Sequence, residues 1–110
     1  MLSSDTMRGY NDTIILSLLL EEPSYGYEIA KRIKERSNNK YVMKETTLYS
    51  AFTRLEKHDY ICSFQQGKTM GRRRTYYEIT AKGRNYFDQK HQEWLLTQEV
   101  VNQFITDNRL

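Results

Sequence analysis

Apolar residues fall into several distinct rhythms along the chain. Ile14, Ile15, Leu16, Leu18, Leu19 and Leu20 make an almost continuous run. A helix from Gly9 or Tyr10 to Glu21 would be apolar on several sides, and such a helix belongs at the centre of a fold. Residues 1–7 carry no periodic pattern and are expected to form a loose arm. The helix is expected to end at Glu22-Pro23, because proline pushes the preceding residue out of the helical region. Ser24 can cap a second helix, from Tyr25 or Gly26 to Arg36, whose inner stripe is Ile29, Ala30 and Ile33. "SNNK" should break it, since asparagine tolerates the left-handed conformation, and "YVM" at 41–43 suggests a short strand.

The third rhythm is the clearest. Leu48, Ala51, Phe52 and Leu55 fall at i, i+3, i+4 and i+7, one face of a helix running from about Glu45 to His58. Its other side carries Thr46, Thr47, Tyr49, Ser50, Thr53, Arg54 and Lys57. Tyr60 to Gln65 and Arg74 to Thr80 then read as two strands of a hairpin, joined by a long, glycine-bearing basic tip. From Thr80, a natural cap, the pattern is helical again for about 25 residues, or nearly 40 Å. Phe87, Trp94 and Val101 recur every seven residues there, with Leu95, Phe104 and Ile105 beside them. An apolar edge that long outruns a domain of this size, and the same helix of a second copy is the natural cover.

Helix, helix, short strand, helix, hairpin, long helix is a mainly α chain with a small β-hairpin (α+β). It is the order of a winged helix-turn-helix domain, residues 1–79, followed by a dimerisation helix, residues 80–110. In that arrangement the third helix offers its polar face to the DNA major groove, while the basic tip reaches along the backbone or into the minor groove.

Charge sharpens this reading. The chain of 110 residues has a formal net charge of +3, which is unremarkable until mapped. Residues 25–84 hold 14 Lys and Arg against 6 Asp and Glu, +8 locally, whereas the remainder holds 3 against 8, or −5. Concentrated positive charge is the footprint expected for a polyanion partner. Thr and Ser hydroxyls can bond bases or phosphates, a Thr methyl can meet a thymine methyl, and Tyr49 can donate to phosphate. Lys68, Arg72, Arg73 and Arg74 supply the tip. Lys31 and Arg32 are secondary candidates for phosphate contact. Trp94 is assigned to the dimer interface, with a sharper alternative as the aromatic wall of a cavity between subunits.

Other functions find little support. No apolar run reaches the roughly 18 residues of a membrane span, no secretion signal opens the chain, and one cysteine allows no internal disulfide. A reducing cytoplasm is the expected location. His58 and Cys62 lack further ligands nearby, so no metal or cofactor is expected, and no catalytic signature appears. The chain is not expected to be an enzyme. The rival from another class is a winged-helix protein-assembly module whose basic middle meets an acidic protein.

The blocks "YGYEIAKRI", "TLYSAFTRLEKHDYI" and "GRRRTYYEITAKG" resemble the PadR family of bacterial transcriptional regulators, over about Ile14 to Phe87. The resemblance implies operator binding as a homodimer, usually as a repressor released by a small molecule, and dimerisation through one long C-terminal helix. It assigns DNA contact to Thr47, Tyr49, Ser50 and the arginines of "GRRR", and "EWL" at Trp94 resembles the position at which some multidrug-sensing members place a tryptophan in a central pore between subunits. Three positions depart from the family pattern: Thr46 and Asp59 each replace a glycine, and Arg73 replaces a proline.

Overall fold

The structure, a computed structural model, describes residues 1–69 and 72–105, with the backbone alone described for 67–69, 72 and 73. Its core is built around α2 (Asn11–Glu21), which buries Ile15, Leu16, Leu18 and Leu19. Helix α3 (Gly26–Arg36) adds Ile29 and Ile33, and α4 (Glu45–Lys57) adds the expected stripe of Leu48, Ala51, Phe52 and Leu55. Strand β1 (Ser24–Tyr25) precedes α3, and β2 (Ile61–Thr69) and β3 (Arg72–Ile79) follow α4. The three form an antiparallel sheet in the order β1-β3-β2. Phe52 stacks on Tyr77 at 4.1 Å between ring centres, seating α4 on the sheet. This is the winged helix-turn-helix arrangement.

Local chemistry explains the helix ends. Asn38 and Asp59 both take positive φ, 53° and 62°. After α4, Asp59 N–H donates to Glu56 O and Tyr60 N–H to Leu55 O, both at 2.9 Å. This paired pattern closes the last turn of a helix, and Asp59 therefore occupies the left-handed site in place of glycine. Asn38 and Asn39 close α3 in the same way, on Glu35 O and Lys34 O.

Four expectations change. Residues 1–7 are not a loose arm: Ser3 caps a short helix, α1 (Ser4–Met7), and Leu2 N–H donates to Lys40 O at 2.7 Å. Ser24 is not a cap but a buried strand residue opposite Tyr77, and Tyr25 takes the N-cap position. Residues 41–43 form no strand. Tyr41 and Met43 are buried and Val42 exposed, and the Tyr41 hydroxyl donates to Asn11 Oδ1. Burial holds that phenol above its ordinary value, against the pull of the Asn11 bond. Finally, most of the segment expected to form the tip is strand. The ladder continues to Thr69 opposite Arg72, with one register shift between Gln66 and Lys68 that leaves Gly67 as the extra residue.

Helix α5 (Ala81–Asn102) is capped as expected: Gly83 N–H donates to Thr80 Oγ1 at 2.9 Å, while the same hydroxyl donates to Asp59 O at 2.6 Å. Gly83 lies so close to the preceding turn that a Cβ there would overlap the Tyr60 carbonyl oxygen and approach Ile79 Cγ1 to 2.8 Å. Gly83→Ala is therefore expected to destabilise the fold by about 2 kcal/mol through overpacking. An ordinary helix interior would instead gain roughly 1 kcal/mol from the same change. Urea unfolding measures the sign, and a stabilised variant would contradict the close approach. Tyr86 stacks on Tyr60 one turn later, at 4.1 Å. Beyond Lys90 almost every residue of α5 is exposed. Among the described residues no helix is long and apolar enough to cross a membrane.

Candidate nucleic-acid interface

Because one side of α4 is consumed by the core, its other side has to face outward. Thr46, Tyr49, Ser50, Thr53 and Arg54 are exposed, and Thr47 is half-buried. These residues are not equivalent. Thr53 Oγ1 donates back to Tyr49 O at 3.0 Å, which spends its proton on the helix itself. Arg54 forks onto the Asp12 carboxylate, with Nε donating to Oδ2 at 3.0 Å and Nη2 to Oδ1 at 2.5 Å. Among the described residues, Thr46, Tyr49 and Ser50 have no side-chain partner of this kind.

Tyr49 explains Gly26. The nearest neighbour of this glycine is the Tyr49 hydroxyl, which would stand 2.5 Å from a Cβ at position 26. The ring also meets Phe52 edge-on at 5.5 Å. Tyr49 is thus held across the start of α3 while 46% of it stays exposed. A cleft of about 320 Å³ opens there between α3, α4 and β3, walled by Tyr25, Tyr27, Tyr49 and Arg74. Arg74 is exposed and lies over the Tyr25 ring, 4.5 Å from its centre. An aromatic face, rather than a carboxylate, orients this cation. Tyr27, 74% exposed beside it, belongs to the same surface. Its signal in the sequence is the pair of tyrosines flanking Gly26.

Lys68, Arg72 and Arg73 occupy strand positions rather than a loop, with Lys68 opposite Arg73. Their side chains lie outside the described residues. The two secondary cations differ from each other. Arg32 is largely buried and shares the Glu21 carboxylate with Arg36, at 2.7 and 2.6 Å. The hydrogen bond from Arg36, ahead of the other contributions, holds that carboxyl below its ordinary value. Lys31 stays exposed.

A second cleft, of about 540 Å³, separates the start of α4 from α5, with Thr46, Thr47 and Ser50 on one wall and Tyr86 and Lys90 on the other. Farther along α5 lies a broad apolar surface. Trp94, Leu95 and Val101 are exposed by 41%, 46% and 42%, while Leu96 and Val100, also exposed, lie toward the other side of the helix at 3.6 residues per turn. Trp94 meets Tyr10 edge-on at 5.1 Å. Phe87 instead packs against the chain's own core, and Phe104 and Ile105 fall in the turn after the helix, which ends at Asn102. Cys62 is exposed on β2, and its thiol is held above its ordinary value by desolvation first and then by the neighbouring Glu78 carboxylate. Among the described residues no three His, Cys, Asp or Glu converge as metal ligands would.

Comparison with known proteins agrees with this geometry. Residues 15–89 match the model of the transcriptional regulator PadR-like family. The solved structure of a transcriptional regulator from Clostridium thermocellum is 57% identical, with a TM-score of 0.89 over 96% of this chain and 100% of that one. A PadR family transcription regulator from Clostridium difficile R20291 is 39% identical, with a TM-score of 0.77 over 87% of this chain and 98% of that one. An uncharacterized protein of Lysinibacillus sphaericus is 42% identical over 105 residues, 96% of each chain.

Proposed function

Since the chain belongs to the PadR-like family of transcriptional regulators, we propose that it works as a homodimeric repressor on a roughly palindromic operator. Residues 1–79 form the reading unit and residues 80–110 the dimerisation segment. The observation that carries this reading is the outward row of Thr46, Tyr49 and Ser50 on a helix whose opposite face is wholly buried. Short hydroxyl side chains let a helix come close enough to read base edges. Arg74, with Arg72 and Arg73 on the same strand and Lys68 on the neighbouring one, follows the phosphates.

The apolar surface of α5 supports self-association, because an exposed face bearing Trp94, Leu95 and Val101 is out of keeping with a solvated helix. A two-fold axis through it sets two copies of α4 into successive major grooves about 34 Å apart. A small aromatic effector beside Trp94 would release the operator by altering that separation. It does so only insofar as it binds the two separations with different affinity.

The test is a mobility shift with the DNA upstream of the protein's own coding sequence, at 50 and 200 mM salt. A specific complex that loosens steeply with salt is expected, by a factor on the order of a thousand for six phosphate contacts. A protein that retards no duplex at either salt, yet captures an acidic protein partner, would favour the assembly-module alternative.

A further inference from the structure

Arg54 stands among the outward residues of α4, where its charge and position suggest a phosphate contact. Its guanidinium is already engaged. Both hydrogen bonds of the fork go to one carboxylate, that of Asp12 in the first turn of α2, 42 residues away. Asp12 is the more enclosed partner, its side chain 22% exposed against 51% for Arg54. The first turn of a helix also favours a negative charge. The rest of the seating of α4 is mainly apolar, through Leu48, Ala51, Phe52 and Leu55, with a further polar tie near its C-terminal end, Ser63 Oγ donating to Glu56 Oε2 at 2.9 Å. Close apolar packing places that face against the core. A planar two-bond fork adds a directional restraint, because its geometry is specified at both ends.

We propose that Arg54 is a positioning residue for DNA reading: its fork onto Asp12 sets the rotation of α4 that turns Thr46, Thr47 and Ser50 toward the bases, and it neutralises no phosphate. This rests on α4 being the reading helix. The neighbourhood fits such a strut. Thr46, Thr47 and Ser50 line the same cleft as Arg54 and Asp12, so a change at the pair is felt directly by the readers. On the other flank, Tyr10 precedes α2 as its N-cap residue and meets Trp94, tying the first turn of α2 to α5. Half-exposed ion pairs add little to overall stability, so the expected effect is on alignment rather than on folding.

Two simple substitutions separate the possibilities because the signs differ. Asp12 places a negative charge near the surface proposed for DNA. On electrostatics alone, Asp12→Ala should tighten binding to any duplex. If Asp12 holds Arg54 in place, it should instead weaken binding to the specific duplex roughly tenfold, the scale of one misaligned base contact. Arg54→Lys keeps the charge and loses the fork. A phosphate contact survives that change, whereas a strut does not.

The experiment titrates wild type, Asp12→Ala and Arg54→Lys with two fluorescent duplexes, from 50 to 300 mM salt, after thermal melting confirms that each variant is folded. One duplex carries the DNA upstream of the protein's own coding sequence, and the other is a scrambled duplex of equal length and composition. Both variants are expected to lose about tenfold on the first duplex and little on the second, with the salt slope unchanged. Tighter specific binding by Asp12→Ala, or wild-type affinity in Arg54→Lys, would overturn the assignment. Wild type that fails to prefer the first duplex would instead overturn the operator-reading proposal, and the strut with it.

Discussion

Replacing Arg72 and Arg73 together by alanine is expected to weaken DNA binding about a thousandfold near 0.15 M salt, on specific and scrambled duplexes alike. A dimer loses four arginines. If each meets a phosphate, the slope of log affinity against log salt flattens by about 3.6, which amounts to roughly three decades between 1 M and 0.15 M. The loss is indifferent to sequence because phosphates carry none. Titration of both duplexes across a salt series measures it. The position of these residues supports the expectation: they open β3 opposite Lys68 and Thr69 and continue into Arg74, whose guanidinium is held over Tyr25 near the outward face of α4. Affinity and slope that survive the double substitution would remove the hairpin from the interface. Loss on the specific duplex alone would mean that these arginines read bases instead.

Charging the apolar face of α5 is expected to have the second largest effect. Leu95→Glu with Val101→Glu puts two carboxylates into a surface that is half exposed in one chain and covered in the proposed dimer. A two-fold axis doubles every change, so four charges would enter one interface, each costing several kcal/mol unless paired. Sedimentation should show a folded monomer. Specific binding should then fall by about 10²–10⁴-fold, because the second half-site is no longer held at high effective concentration. The monomer fold should persist, since neither residue belongs to the core. A variant that still sediments as a dimer would locate the interface elsewhere. A monomer that binds the operator as well as wild type would detach dimerisation from reading.

These two predictions draw on different kinds of knowledge. The face of α4 was readable in advance, because Leu48, Ala51, Phe52 and Leu55 mark one side at helical spacing and leave the hydroxyl residues on the other. So was the cap at Thr80, where a single side chain serves the first turn of its own helix. The roles of single cations were not. Arg32, Arg54 and Arg74 look alike as letters, yet one is largely buried on Glu21, one forks onto Asp12 and one lies over Tyr25. Ser24 misled for a related reason. Its residue type suits a cap, but β3 arrives beside it and claims its backbone as a strand.

Asn38, Asp59, Pro23 and Thr80 mark their turns and helix ends through backbone preferences that act within a few residues, and the spacing of apolar side chains settles which face of each helix is dry. Those features were therefore written locally, and with them the order of elements that defines a winged helix. Which charge meets which partner, how far the hairpin stays paired, and whether Tyr41 is buried by a strand or by Asn11 depend on segments brought together from tens of residues away. Hydrogen bonds need donor and acceptor within about 3 Å, and charge interactions weaken with separation and are screened over roughly 10 Å, so the folded chain alone assigns them.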